Sequence, residues 1–164
     1  MKFNTLREYF YKLHNLLYMA LLPPLLLFAY FYLEFQATLL TESTFSLMVV
    51  LVSCGYLFIL LYGLYHTRKG VTTIRKEPSL RRMLETYADL LKVRFFSVGG
   101  ASLLLLVGFV VVHDPLFVAL FVVSLIVFSV FWPTSRRVAN DLKLKGDARA
   151  MVIRKSESLP GPEK

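Results

Sequence analysis

Residues 95–112, FFSVGGASLLLLVGFVVV, and residues 115–135, PLFVALFVVSLIVFSVFWPTS, are separated only by His113-Asp114. Neither stretch holds an Asp, Glu, Lys, Arg or His, and they run 18 and 21 residues. A helix of roughly 18 or more apolar residues is long enough to reach across a bilayer. Two such runs joined by two residues can only be antiparallel neighbours. Asp114 is placed to cap the second helix, with Pro115 at its first position, where the missing N–H is one the helix would not use. The pair reads as a transmembrane helical hairpin.

Two more uncharged runs lie upstream, 15–33 with 19 residues and 43–65 with 23. Over all 164 residues only 18% are charged, against about a quarter in a soluble domain. The expected fold is therefore all-α: a four-transmembrane-helix bundle built of two helical hairpins. A soluble enzyme and a disordered chain do not fit this composition.

The charges that remain are segregated. Lys and Arg number 3 in residues 1–14, 8 in 66–94 and 8 in 133–164, which accounts for all 19. The segments 34–42 and 113–114 carry only Glu34, Glu42 and Asp114, so the net +8 divides into +11 on one side and −3 on the other. Basic segments stay on the cytoplasmic side. Both termini and the 66–94 connector are thus expected in the cytoplasm, with the chain multi-pass in a bacterial cytoplasmic (inner) membrane. The first run is too long for a signal-peptide core of roughly 7–15 residues, and it reads as an uncleaved span. Leu51-Val52-Ser53-Cys54 resembles a lipoprotein processing box, but it falls inside the second span, and Cys54 reads as a buried small residue at a helix contact.

Each hairpin is preceded by an amphipathic stretch. Leu6, Tyr9, Phe10, Leu13, Leu16 and Leu17 share one helical face behind a Thr5 cap, with Glu8 and Lys12 paired on the wetter side. Leu80, Met83, Leu84, Tyr87, Leu90 and Leu91 repeat that spacing behind Ser79, at an offset of 74. The expectation is two related units: 1–70, an amphipathic helix and the first hairpin, and 71–164, a connector helix, the second hairpin and a basic tail. Both amphipathic helices are expected to lie at the cytoplasmic interface of the membrane. The final segment, about ten residues including Ser156-Glu157-Ser158-Leu159-Pro160-Gly161-Pro162, reads as disordered.

Candidate sites are few. Pro23 and Pro24 remove two amide donors near the middle of the first span and free the carbonyls of Met19 and Ala20, so a kink or hinge is expected there. Ser97, Gly99, Gly100 and Ala101 form a small-residue patch suited to a tight helix crossing, as do Gly55 and Gly63 in the second span. Arg68, Lys69, Arg75, Lys76, Arg81, Arg82, Arg136 and Arg137 are candidates for anionic headgroup or partner contacts. Lys92 and Arg94 can snorkel from the start of the third span. Nucleic acid is not an expected partner, because this charge sits beside lipid phosphate.

Catalytic and metal-binding signatures are missing from the sequence. No ionisable side chain falls within the four runs, whereas proton-coupled small exporters and rotary c-type hairpins need an embedded carboxylate. The single Cys54 excludes a quinone-linked thiol oxidase and any internal disulfide. There is no phosphate loop, His-Glu-x-x-His or nucleophile elbow. His14 and His66 both sit at the cytoplasmic boundary and could in principle ligate a haem or metal, but solvated imidazoles are the ordinary case; His113 reads as a polar turn residue. No catalytic residue, cofactor or metal is therefore expected.

The run Trp132-Pro133-Thr134-Ser135-Arg136-Arg137-Val138-Ala139-Asn140-Asp141-Leu142 resembles an aromatic-Pro-Thr-x-x-Arg-Val-x-x-Asp-Leu pattern of small bacterial four-span integral membrane proteins. The resemblance covers most of the chain. It implies the four-span architecture and brings no activity with it. The functional expectation is a non-enzymatic accessory or scaffold protein that binds anionic lipid, a membrane partner or another copy of itself. A small oligomeric transporter or pore at Pro23-Pro24 is the alternative. A lipid-headgroup enzyme using His14, His66 and Asp89 comes third.

Overall fold

The computed structural model describes residues 3, 5–35, 47–75 and 79–154. These form six helices and, among the described residues, no strand: α1 (Leu6–Phe35), α2 (Leu47–Ile74), α3 (Leu80–Val112), α4 (Pro115–Val130), α5 (Ser135–Asp141) and α6 (Gly146–Arg154). Lys76 and residues 36–46 and 155–164, on which several expectations rest, lie outside the described residues.

α1, α2 and α3 are each long and apolar enough to cross a membrane. α4, at 16 residues, falls short alone, and a fourth crossing arises only if it is counted with α5 across a bend of 82°. The bend follows from Trp132-Pro133: the proline has no N–H to continue the helix and holds the residue before it extended. Thr134 then starts α5, its hydroxyl accepting a hydrogen bond from Arg137 N at 3.3 Å.

At 1.5 Å per residue, the 30 residues of α1, 28 of α2 and 33 of α3 reach about 45, 42 and 50 Å. A hydrocarbon core is only about 30 Å thick, so each helix continues well past the apolar run it contains. The amphipathic stretches are these continuations. Thr5 caps α1 as expected, its hydroxyl accepting from Glu8 N at 3.1 Å. Ser79 has cap geometry at α3 but no side-chain hydrogen bond. Asp114 Oδ1 accepts from Leu116 N at 2.8 Å, and His113 makes the turn in left-handed backbone, φ 57°.

The amphipathic faces are buried within the protein. Leu6, Tyr9, Phe10 and Leu13 of α1 pack with Leu84, Tyr87 and Leu91 of α3 in a protein core. Val138, Ala139, Leu142, Leu144 and Val152 of the tail close it. The residues after α4 thus add apolar cover to the faces of α1 and α3. A second core joins Phe28, Tyr56, Leu105, Phe109, Phe117 and Phe121 among the apolar runs.

The helices are organised around α3 rather than as two separate hairpins. α3 packs on α1, α2 and α4, while α1 and α2 make few contacts with each other among the described residues. Glycines set the closest approach. A Cβ at Gly63 would lie 2.5 Å from Ser97 Cβ, one at Gly108 2.7 Å from Val52 Cγ1, and one at Gly55 3.2 Å from Leu104 Cδ2. Gly70 is likewise filled by the Leu90 side chain. The residue numbers of these pairs fall on one helix as they rise on the other, the mark of an antiparallel α2–α3 seam. Tyr56 Oη accepts from Ser124 Oγ at 3.1 Å and donates to the Leu120 carbonyl at 3.4 Å, tying α2 to α4.

α1 runs as one helix through Pro23 and Pro24. Pro24 is buried, and Gly99 approaches the carbonyl that this proline leaves unbonded: a Cβ on Gly99 would lie 2.8 Å from Ala20 O. Ala101 is fully buried, but Gly100 meets nothing within 4 Å and stands outside the crossing. Cys54 is exposed, not buried at a helix contact.

Candidate functional site

The basic residues converge at the end of the bundle where α2 stops, α3 begins its apolar run and α5 turns away. There Thr67, Arg68, Val71 and Thr72 of α2, Arg75 just beyond it, Arg94 of α3, Phe131 and α5's Arg137 and Asp141 line a cavity of about 370 Å³. Four guanidiniums face one carboxylate.

Arg94 is the least ordinary of these. It is only 7% exposed, and its Nε is buried without a hydrogen-bond partner. Among the described residues no carboxylate lies within ion-pair distance of it. Its charge rests against aromatic rings, with Cζ 4.3 Å from the centroid of Phe131 and 5.9 Å from that of Phe95. Arg137 Cζ lies 5.1 Å from the same Phe131 ring. Cation–π contact offsets part of the cost of desolvation, but an unpaired buried cation remains expensive.

Asp141, the carboxylate at hand, is engaged elsewhere. Its Oδ2 accepts from Tyr87 Oη at 2.7 Å, and its main-chain carbonyl accepts from Arg75 Nε at 2.9 Å. Burial, reinforced by the Asp141 carboxylate, holds the Tyr87 phenol well above its ordinary pKa, so the tyrosine stays a neutral donor. Thr67 and Thr72 donate their hydroxyl protons to the carbonyls of Gly63 and Lys69, at 2.8 and 2.7 Å. The donors left to the cavity are guanidinium N–H groups.

Arg68, Arg75 and Arg137 thus share this cavity, while the other basic candidates lie apart from it. Lys69 borders a separate groove with His66 and Leu90. Arg81 donates to the Phe3 carbonyl at 3.1 Å and pairs with Glu85 at 3.6 Å. Arg82 and Arg136 are exposed. Phe131, Tyr87 and Asp141 are additions to the basic residues expected there, and Arg94, expected to snorkel among the basic clusters, is instead buried. The signal for Arg94 was present: it continues the Leu84, Tyr87, Leu91 spacing by one more step, which places a cation on the buried face.

The imidazoles do not converge with other ligands. His14 Nδ1 donates to the Phe10 carbonyl at 2.7 Å and its ring stands 5.9 Å from Trp132. His66 is exposed, 6.0 Å from the Tyr62 ring. No group of three or more His, Cys, Asp or Glu that could hold a metal occurs among the described residues. Asp89 is an exposed surface carboxylate whose hydrogen bond from Lys92, at 2.7 Å, holds it below its ordinary range. Compared with known proteins, the chain matches no family model, no curated protein and no solved structure.

Proposed function

We propose that this chain is a non-enzymatic, four-span integral protein of a bacterial cytoplasmic membrane, with both termini in the cytoplasm, acting as an accessory or scaffold subunit. The observation that carries the reading is the position of the cationic cavity, at the basic end of a bundle whose flanks are apolar. Phe58 is 72% exposed, Leu33 71% and Leu47 76%, a surface suited to hydrocarbon or to another membrane helix. α4 crosses together with residues 131–134: its 16 residues cover about 24 Å, the turn after it adds some reach, and Trp132 suits the interface as such residues do. Anionic lipid is the partner the basic end suits, with a second copy or a membrane protein on the apolar flank.

The test is extraction followed by cross-linking. Membranes washed with alkaline carbonate are expected to retain the chain, and a short amine cross-linker in mild detergent is expected to trap a species larger than the monomer. Release by the wash would remove the integral reading. A monomer at every cross-linker concentration would remove the scaffold reading.

A further inference from the structure

We propose that the cavity beside Arg94 binds a phosphate group, either the phosphomonoester of a lipid headgroup or free inorganic phosphate. The proposal deepens the reading of the same basic end given above, and depends on the membrane assignment only for the lipid source.

Three observations select this chemistry. Arg94 is a buried cation whose Nε has no hydrogen-bond partner and which makes no ion pair among the described residues, and it lines an open cavity rather than a closed core. The cavity's free donors are all guanidinium nitrogens, because both threonine hydroxyls donate to helix carbonyls and Tyr87 donates to Asp141. A ligand there must be an acceptor, and planar guanidinium forks match phosphate oxygens two at a time. Finally, four arginines against Asp141 leave an excess of three positive charges. A phosphomonoester, with a charge of about −1.5 to −2 and three acceptor oxygens, offsets that excess better than a carboxylate. The volume, about 370 Å³, falls within the roughly 300–1,000 Å³ of small-molecule sites.

Tyr87 has a positioning part in this. Its 2.7 Å hydrogen bond fixes the Asp141 carboxylate in the wall of the cavity, where Asp141 makes no ion pair with Arg94 among the described residues.

The experiment uses the full chain purified in uncharged detergent and has two arms. Native mass spectrometry with equal amounts of phosphatidic acid and phosphatidylcholine of matched chains reads the lipid source. Calorimetric titration with inorganic phosphate in chloride buffer reads the free ion. Arg94→Gln is expected to cut phosphatidic acid adducts, phosphate heat or both by about tenfold or more, since it removes a charge-assisted donor pair. Arg137→Gln, on a different helix, is expected to act in the same direction and guards against a fold defect in the first variant. Arg82→Gln, exposed and outside the cavity, is expected to stay within about twofold of the parent chain, as surface charge alone has little effect. Adducts without phosphate heat assign the site to a headgroup, and phosphate heat without lipid preference assigns it to the free ion. The proposal is overturned if neither arm shows saturable binding, if Arg82→Gln loses as much as Arg94→Gln, if Arg137→Gln binds like the parent chain, or if an acidic peptide displaces the ligand as well as phosphate does. Failure in both arms leaves the membrane reading standing, whereas a chain that stays in solution without detergent sinks that reading and leaves the phosphate arm intact.

Discussion

Gly99 and Gly100 are chain neighbours with opposite surroundings. A methyl added at Gly99 would sit 2.8 Å from Ala20 O, a backbone atom that a rotamer change cannot move, whereas one added at Gly100 meets nothing within 4 Å. Overpacking of this kind costs about 1–3 kcal/mol. Replacing an unstrained helical glycine by alanine gains about 0.4–1 kcal/mol. Gly99→Ala should therefore lower the melting temperature in detergent and Gly100→Ala should raise it. Equal shifts in the two variants would show that the α1–α3 contact is not as close as described. From the sequence both glycines belonged to one small-residue patch. Only the contact with Ala20 separates them, and that contact depends on Pro24, which leaves the carbonyl without its helical donor.

Among the elements, α1 and α3 begin at Leu6 and Leu80, 74 residues apart, and the burial along them follows the same offset. Tyr9, Phe10, Leu13 and Leu17 are buried on α1, and Met83, Leu84, Tyr87 and Leu91 on α3. The spacing of these faces was legible because helical periodicity is a local property. What covers them was not, because α1 and α3 cover each other across some seventy residues of chain, and α5 and α6, later still, close the cluster. The Tyr87–Asp141 hydrogen bond, 2.7 Å long, is a direct polar tie holding α5 to α3. Hydrogen bonds to charged groups contribute about 1.5–3 kcal/mol. Tyr87→Phe should leave the long helices intact but speed amide exchange across residues 135–142 by about tenfold or more, in line with about 1.4 kcal/mol per decade. Unchanged exchange would mean that the apolar contacts of Val138 and Leu142 hold the tail unaided.

On the scale of the whole molecule, every Lys and Arg falls in three segments of the sequence, 1–14, 66–94 and 133–164. Those among the described residues gather at the end where α2 stops and α5 turns away, so the orientation can be tested directly. In a Cys54→Ser background, Ser79→Cys and Asp147→Cys should react with a membrane-impermeant maleimide only after the cells are opened. Glu34→Cys, exposed at the far end of α1, should react in intact cells. Labelling of Asp147→Cys in intact cells would invert or break the proposed topology.

The sequence by itself determined the all-helical class, the apolar runs, the Asp114-Pro115 turn and the segregation of charge. Each of these depends on residues close together in the chain: the length of an uncharged run, a cap beside its helix, a periodic face. The tertiary structure decided that α3 is the hub and that the amphipathic faces are buried in protein. It also decided that Arg94 is enclosed beside Arg75 and Arg137 while the nearest carboxylate is held by Tyr87. Those outcomes turn on which distant side chains share one small volume, and burial converts an ordinary boundary arginine into a charge that needs a partner.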